Sequence, residues 1–218
     1  MRYYPVYLSL EGRPCVVVGG GPVAEGKVQG LLEAGARVTV VSPALTPRLA
    51  ELAVWGRIAH SARPYHHGDL AGAFLAIGGT DDRSVNREIW DEAVEAGVLL
   101  NMVDDPPRCG FIAPSIVRRG DLAIAISTGG KAPVLAVRLR ERIERLVGEE
   151  HARFLELAGR FRAPLAERCP SFEERKERWY RLVDSDVLDL LRRDEESAAL
   201  TRMREILGVA PEAAGDVA

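Results

Sequence analysis

Val18 is followed by Gly19-Gly20-Gly21-Pro22-Val23-Ala24, where an apolar run ends and a helix-like one begins. This fits G-x-G-x-x-A, a fingerprint for holding the pyrophosphate of a dinucleotide. Gly19 permits a tight turn. Gly21 lets backbone approach phosphate with no β-carbon in the way, and Ala24 lets helix and strand pack closely. Pro22 suits a first helical position, and Val23 falls in the same opening turn. Such a helix start offers free N–H groups and the positive end of its dipole to phosphate. The alternative is a nucleotide-type loop that binds nothing, or that holds FAD or a mononucleotide.

One part of the fingerprint is replaced. An Asp or Glu usually follows the second strand and takes the ribose hydroxyls. Here Val41 runs into Ser42-Pro43-Ala44. Ser42 offers one hydrogen bond, and Arg48 is within reach of a 2′-phosphate. These residues leave NAD and NADP open.

Further residues bear chemistry. Asp104 and Asp105 lie just past a fifth apolar run, where ligands of open α/β sheets bind; the alternative is a plain turn before Pro106-Pro107. Thr80-Asp81-Asp82 follows the fourth run and would line the adenosine side of the cleft, or cap the next helix. Asn101 and Val103 would then lie near a nicotinamide. Ser127-Thr128-Gly129-Gly130-Lys131 precedes another helix and is either an anion loop or a capped turn. It departs from the Walker pattern, since residue 125 is not glycine and residue 132 is alanine. His66-His67 has no third ligand nearby in sequence and reads as a surface loop. Cys109 is close in sequence to Asp104, with a metal or redox role the lesser reading.

These residues need elements to hold them. Cys15–Val18, Val38–Val41, Arg57–Ser61, Phe74–Ile77 and Val98–Val103 read as strands. Helical spacing over 23–34, 46–55 and 84–96 fills the gaps between them. Strand and helix in alternation with short links imply a parallel sheet covered on both faces. The pattern then changes. Phe111–Val117 and Leu122–Ser127 flank Arg118-Arg119-Gly120-Asp121 as a hairpin. A helix carrying Leu135, Leu139, Ile143 and Leu146 follows. Three amphipathic stripes come next: Phe154, Leu157, Phe161 and Leu165; Trp179, Leu182 and Val183; and Leu200, Met203 and Leu207. From Gly208 the tail is expected to fray. The fold class is α/β: a Rossmann-like parallel sheet domain over 1–112, a small α+β dimerisation hairpin plus helix over 113–148, and a C-terminal helical domain over 149–218. A hairpin with one helix has little core of its own, so a second copy is expected to cover it, giving a homodimer.

Composition narrows the class. Lys plus Arg is 29 and Asp plus Glu is 32, a net charge of −3, so net charge does not hold this chain on nucleic acid. Basic and acidic residues also nearly balance from 138 to 204, and most read as solvated helix faces. Apolar runs fall short of a membrane span, and the N-terminus does not read as a signal peptide. Three well-separated cysteines, Cys15, Cys109 and Cys169, read as reduced thiols in a cytoplasmic protein. No metal site is expected.

With these residues in view, the chain resembles the sirohaem synthase family, in its precorrin-2 dehydrogenase / sirohydrochlorin ferrochelatase module. The matching stretches are Tyr4–Tyr7, Val17–Glu25 with Lys27, Leu31–Ala36, Ala76-Ile77, Thr80–Asp82 and Val85-Asn86. The most specific are Asn101–Asp105, Phe111–Val117 and Ala125–Ala136. The resemblance implies NAD-dependent oxidation of precorrin-2 to sirohydrochlorin, with Asp104 as the catalytic aspartate and Asp105 the lesser of the pair. It implies a homodimer, and a tetrapyrrole substrate with eight carboxylates, one of which Ser127, Thr128, Gly129 and Lys131 would hold. Many members also insert ferrous iron, making it a second substrate, and others only oxidise. Members fused to a uroporphyrinogen methyltransferase run longer, and this chain is expected to lack that activity. The family often has arginine at the place of Gly26, and a small or polar residue at that of Lys131. The competing reading is an NAD-sensing or tetrapyrrole-binding regulatory module without dehydrogenase turnover.

Overall fold

A computed structural model describes residues 3–213. They divide into two compact units, one ending at Ala113 and the other beginning at Pro114.

The first unit alternates strand and helix: β1 (Pro14–Val18), α1 (Pro22–Glu33), β2 (Arg37–Val41), α2 (Pro47–Val54), β3 (Ala59–Ser61), β4 (Leu75–Gly78), α3 (Arg83–Ala96) and β5 (Leu99–Met102). All strand pairs are parallel, in the order β3-β2-β1-β4-β5. The chain therefore reverses direction across the sheet between β1 and β4, the switch point at which such sheets bind ligands.

Both faces of the sheet are buried. Cys15 and Val17 pack with Val28, Leu31, Val40 and Leu49 on one side. Val16 and Val18 pack with Ala76, Ile89 and Leu100 on the other. Alternate side chains of a strand point to opposite faces, so a strand covered twice must be apolar throughout. Helices α2 and α3 start at side-chain caps: Thr46 Oγ1 accepts from Leu49 N at 3.2 Å, and Asp82 Oδ1 accepts from Ser84 N at 2.8 Å.

The second unit opens with a hairpin, β6 (Ser115–Arg119) and β7 (Leu122–Ile126), in antiparallel register from Ser115↔Ile126 to Arg119↔Leu122. The sequence pattern starts the first of these strands at Phe111. The structure starts it at Ser115, after Pro114, which has no N–H to donate. Helices α4 (Pro133–Leu146), α5 (Glu149–Gly159), α6 (Arg162–Arg168), α7 (Phe172–Val183), α8 (Val187–Arg192) and α9 (Glu196–Leu207) follow. Phe161, Leu165, Leu182, Leu191, Met203 and Leu207 are fully buried together.

Two apolar faces expected from periodicity are covered only in part. Val183 is exposed although its neighbour Leu182 is buried, because consecutive helical residues point about 100° apart. On α4, only Ala136 is buried, while Val134, Leu135 and Leu146 face outward. The start of the tail is tied down instead of frayed. Gly208 closes α9 in the left-handed conformation, Val209 packs on the helical core, and Glu212 exchanges hydrogen bonds with Arg160 at 2.9 and 3.0 Å. The remainder of that expected frayed tail, 214–218, lies outside the described residues. No helix among the described residues is long and apolar enough to cross a membrane.

Candidate active site

The ends of β1, β2, β4 and β5 come level in the sheet register: Val18 pairs with both Val41 and Gly78, and Gly78 pairs with Met102. The loops beyond them carry most of the predicted site residues of the first unit.

Gly19 turns the chain at a φ of 125°. A β-carbon there would lie 2.9 Å from the Gly79 carbonyl oxygen, so the β1 and β4 ends approach backbone to backbone. Gly20, the free position of the fingerprint, is more restricted still. Its β-carbon would meet Ala44 O at 1.9 Å and Ser42 Oγ at 2.7 Å, and its carbonyl accepts from Thr46 N at 2.9 Å. At Gly21 the opposite holds, for nothing lies within 4 Å of its β-carbon position. Gly21 is the N-cap of α1, Pro22 follows at the first turn, and no side chain caps the helix. Val23 is exposed and Ala24 is buried against the sheet. Open space therefore stands over uncapped N–H groups at a helix start.

The loop after β2 is braced from inside. Ser42 is buried and donates to Ala44 O at 2.7 Å, and its own carbonyl contacts His60 Nε2 at 2.9 Å. That engages the hydroxyl which the sequence offered to ribose, while Pro43 and Ala44 are exposed at the rim. Glu25, in the first turn of α1, accepts from Thr46 Oγ1 at 2.5 Å and so joins α1 to α2. Arg48 pairs with Glu51 at 3.0 Å and lies over the Trp55 ring.

After β4, Thr80 and Asn86 clasp each other. Thr80 N and Oγ1 donate to Asn86 Oδ1 at 3.1 and 2.9 Å, and Asn86 Nδ2 donates to Thr80 O at 2.9 Å. Asp82, and not Asp81, caps α3; hydrogen bonds from Ser84 hold its carboxyl below the ordinary carboxylate range. Asp81 is exposed. After β5, the side chain of Val103 fills the space where Gly79 has none, 2.9 Å from that β-carbon position. Asn101 is buried, its amide donating to Phe111 O at 3.0 Å. Asp104 is exposed, with a φ of 57° that side chains rarely adopt. Asp105 is paired with Arg108.

The predicted residues of the second unit form a turn between β7 and α4. Ser127 Oγ accepts from Gly129 N at 3.1 Å and Thr128 Oγ1 accepts from Ala132 N at 3.3 Å. Lys131 is exposed. As acceptors these hydroxyls cap their own turn, which leaves each O–H as a donor.

His67 stands 3.9 Å from Glu92 and 4.0 Å from Glu95, and the described residues hold no cluster of three metal-ligating side chains. Gly20, Gly79, Thr46, Glu25 and Asn86 all shape this region, though none is among the expected site residues. Gly20, Glu25 and Asn86 lie in the stretches that carry the family resemblance, and the glycine-rich composition pointed to Gly79, while nothing in the sequence singled out Thr46. The residues of the first unit fit a dinucleotide: a helix start free of side-chain caps, open room over Gly21, and a close β1–β4 approach beneath it.

Three family models cover the chain in order. One described as "Putative NAD(P)-binding" matches residues 6–115, a sirohaem biosynthesis protein central region matches 119–146, and a sirohaem synthase dimerisation region matches 150–207. Siroheme synthase 1 of Aeromonas salmonicida (strain A449) is 46% identical over 200 residues, covering 91% of this chain and 43% of the relative. Siroheme synthase of Thioalkalivibrio sulfidiphilus (strain HL-EbGR7) is 41% identical over 207 residues, covering 95% and 42%. The chain thus spans less than half the length of these curated relatives. The solved structure of SirC, a precorrin-2 dehydrogenase, superposes with a TM-score of 0.70 at 28% identity, covering 94% of this chain and 98% of that one.

Proposed function

We propose that this chain, which belongs to the sirohaem synthase family, oxidises precorrin-2 to sirohydrochlorin with NAD. The observation that carries the reading is the uncapped start of α1 with open space over Gly21, on the same sheet edge as an exposed aspartate, Asp104. The likeness to SirC over nearly the whole of both chains supports the substrate.

Backbone N–H groups of Gly21, Val23 and Ala24 would take the pyrophosphate, with Pro22 holding the first turn in shape and the helix dipole assisting. Pro43 and Ala44 would form the rim beside the adenosine, with Ser42 bracing them from within. Thr80 and Asp81 would line the same side, and Val103 would face the nicotinamide end. The dinucleotide supplies the hydride acceptor. Oxidation removes two hydrogens from the tetrapyrrole, one as a hydride and one as a proton. The Asp104 carboxylate takes the proton as a general base. Ser127, Thr128, Gly129 and Lys131 would hold a substrate carboxylate by O–H and ammonium donors. Ferrous iron is a candidate second substrate, inserted as the pyrrole N–H protons leave. A homodimer is supported by the dimerisation-region match and by the outward Val134, Leu135 and Leu146 of α4.

The test is an anaerobic incubation of precorrin-2 with the pure protein and NAD, NADP or neither. Reduced-nucleotide absorbance and the sirohydrochlorin spectrum are followed, and ferrous iron is then added. Oxidation with NAD is expected. Failure to oxidise precorrin-2 with either NAD or NADP would overturn the proposal. In Asp104→Asn, turnover should be nearly abolished while NAD affinity stays near wild type.

A further inference from the structure

β5 is an edge strand. Its inner side pairs with β4, and beyond it Val103 N donates to Gly78 O at 2.8 Å. Its outer side has no neighbouring strand among the described residues, so the backbone groups there need other partners. The chain supplies them by folding back on itself. Gly110 N and Phe111 N donate to Leu100 O at 2.8 and 3.4 Å. At the next outward position a thiol takes over. Met102 N donates to Cys109 Sγ at 3.3 Å, and the thiol reaches Met102 O at 3.2 Å and Asp105 O at 3.4 Å. Asn101 Nδ2 donates to the same sulfur at 3.6 Å as well as to Phe111 O.

Residues 102–109 are therefore a closed loop with Cys109 at its neck and Asp104 in the turn that leaves β5. The Asp104 carboxylate has no hydrogen bond or ion pair among the described residues. Its place is set by backbone alone, and that backbone holds a φ of 57°, a conformation that persists only where its surroundings impose it. Asp105 N donates to Met102 O at 3.3 Å, closing a turn across Asp104, and the carbonyls at both ends of that turn, Met102 O and Asp105 O, are the ones the Cys109 thiol reaches. A second tie, Arg108 paired with Asp105 and lying 5.9 Å from the Trp90 ring, holds the loop against α3 without reaching Met102.

We propose that Cys109, supported by Asn101, is the positioning residue for Asp104, fixing the carboxylate where it takes the substrate proton. The proposal rests on Asp104 being the proton acceptor, so the experiment separates the two. Turnover of precorrin-2 with NAD is compared for wild type, Cys109→Ala, Cys109→Ser, Asp104→Asn and the Asp104→Asn/Cys109→Ala double variant, with NAD affinity measured on each.

Cys109→Ala should lower kcat by about tenfold or more, the scale of a small misplacement of a reacting group. NAD affinity should stay within about twofold, since the neck lies away from the glycine turn. Cys109→Ser keeps a donor and acceptor at the neck and should recover most of the loss; it also carries the test if the alanine variant fails to fold. In the Asp104→Asn background, Cys109→Ala should cost nothing further. Wild-type kcat in Cys109→Ala beside a strongly impaired Asp104→Asn would overturn the positioning role, as would an equal further loss of residual turnover in the double variant. Full activity in Asp104→Asn would instead remove the reading of Asp104 beneath it.

Discussion

A β-carbon placed on Gly20 would lie 1.9 Å from the carbonyl oxygen of Ala44. The middle glycine of the triplet is thus required by the protein itself. Gly21 has nothing within 4 Å and an ordinary φ of −84°. Gly20→Ala should therefore cost about 1–3 kcal/mol of stability by overpacking, read as a fall in Tm of about 2–4 °C for each kcal/mol. Gly21→Ala should leave Tm within about 2 °C and weaken NAD binding by about tenfold, since its methyl would occupy the phosphate's approach. Unchanged NAD affinity in Gly21→Ala would place the pyrophosphate elsewhere.

Asp104 separates chemistry from folding. Glycine adopts a positive φ freely, and an L-residue there carries a penalty of up to about 1–2 kcal/mol. Asp104→Gly should have a Tm at or above wild type and no turnover. A clear drop in Tm would mean that the carboxylate has a structural partner.

Glu92 is a buried carboxylate on α3 that pins the segment between β3 and β4. It accepts from Leu70 N at 2.8 Å and from the Tyr65 hydroxyl. Burial, and then the neighbouring Glu92, push the Tyr65 pKa well up, so the phenol remains a donor. Glu92→Ala would strand the Leu70 N–H and the tyrosine hydroxyl, costing about 2–3 kcal/mol. Glu92→Gln keeps an acceptor for Leu70 and should cost less. Urea unfolding of the two variants gives the comparison, and equal losses would argue against the hydrogen bonds as the cause.

Acid should loosen the same segment. Arg63 donates two hydrogen bonds to Asp69, at 2.7 and 2.6 Å, and holds its carboxyl below the ordinary range, with the backbone N–H of His66 assisting. A folded pKa below the unfolded one gives stability that is present above about pH 4. That stability is lost as pH falls through the lowered value. The difference in urea midpoint between wild type and Asp69→Asn should be full at neutral pH and shrink in acid. A difference that grows as pH falls would reverse the assignment.

Much of this was legible in the residues. The strands of the first unit are apolar throughout because both sheet faces are covered, and that leaves an unbroken run such as Cys15–Val18. The glycine fingerprint is legible for a related reason: a tight turn and a close backbone approach exclude side chains locally. Periodicity also placed the helical stripes. It failed at Val183 and Leu135, where a helix carries more apolar residues than its neighbours within the described chain cover.

The residues in their order are enough to specify the succession of elements, the turn at Gly19, the open helix start at Gly21 and the presence of Asp104 after β5. These are set by contacts between near neighbours in the chain. Which groups brace that edge depends on contacts between segments far apart in the chain. Gly20 against Ala44, Glu25 on Thr46, Glu92 under the segment of Tyr65 and Leu70, and Cys109 on the free side of Met102 all depend on which strand lies beside which. A sulfur close in sequence to an aspartate carries no sign that it will stand in for a missing strand. That follows only once β5 is the edge and its outward backbone groups need partners.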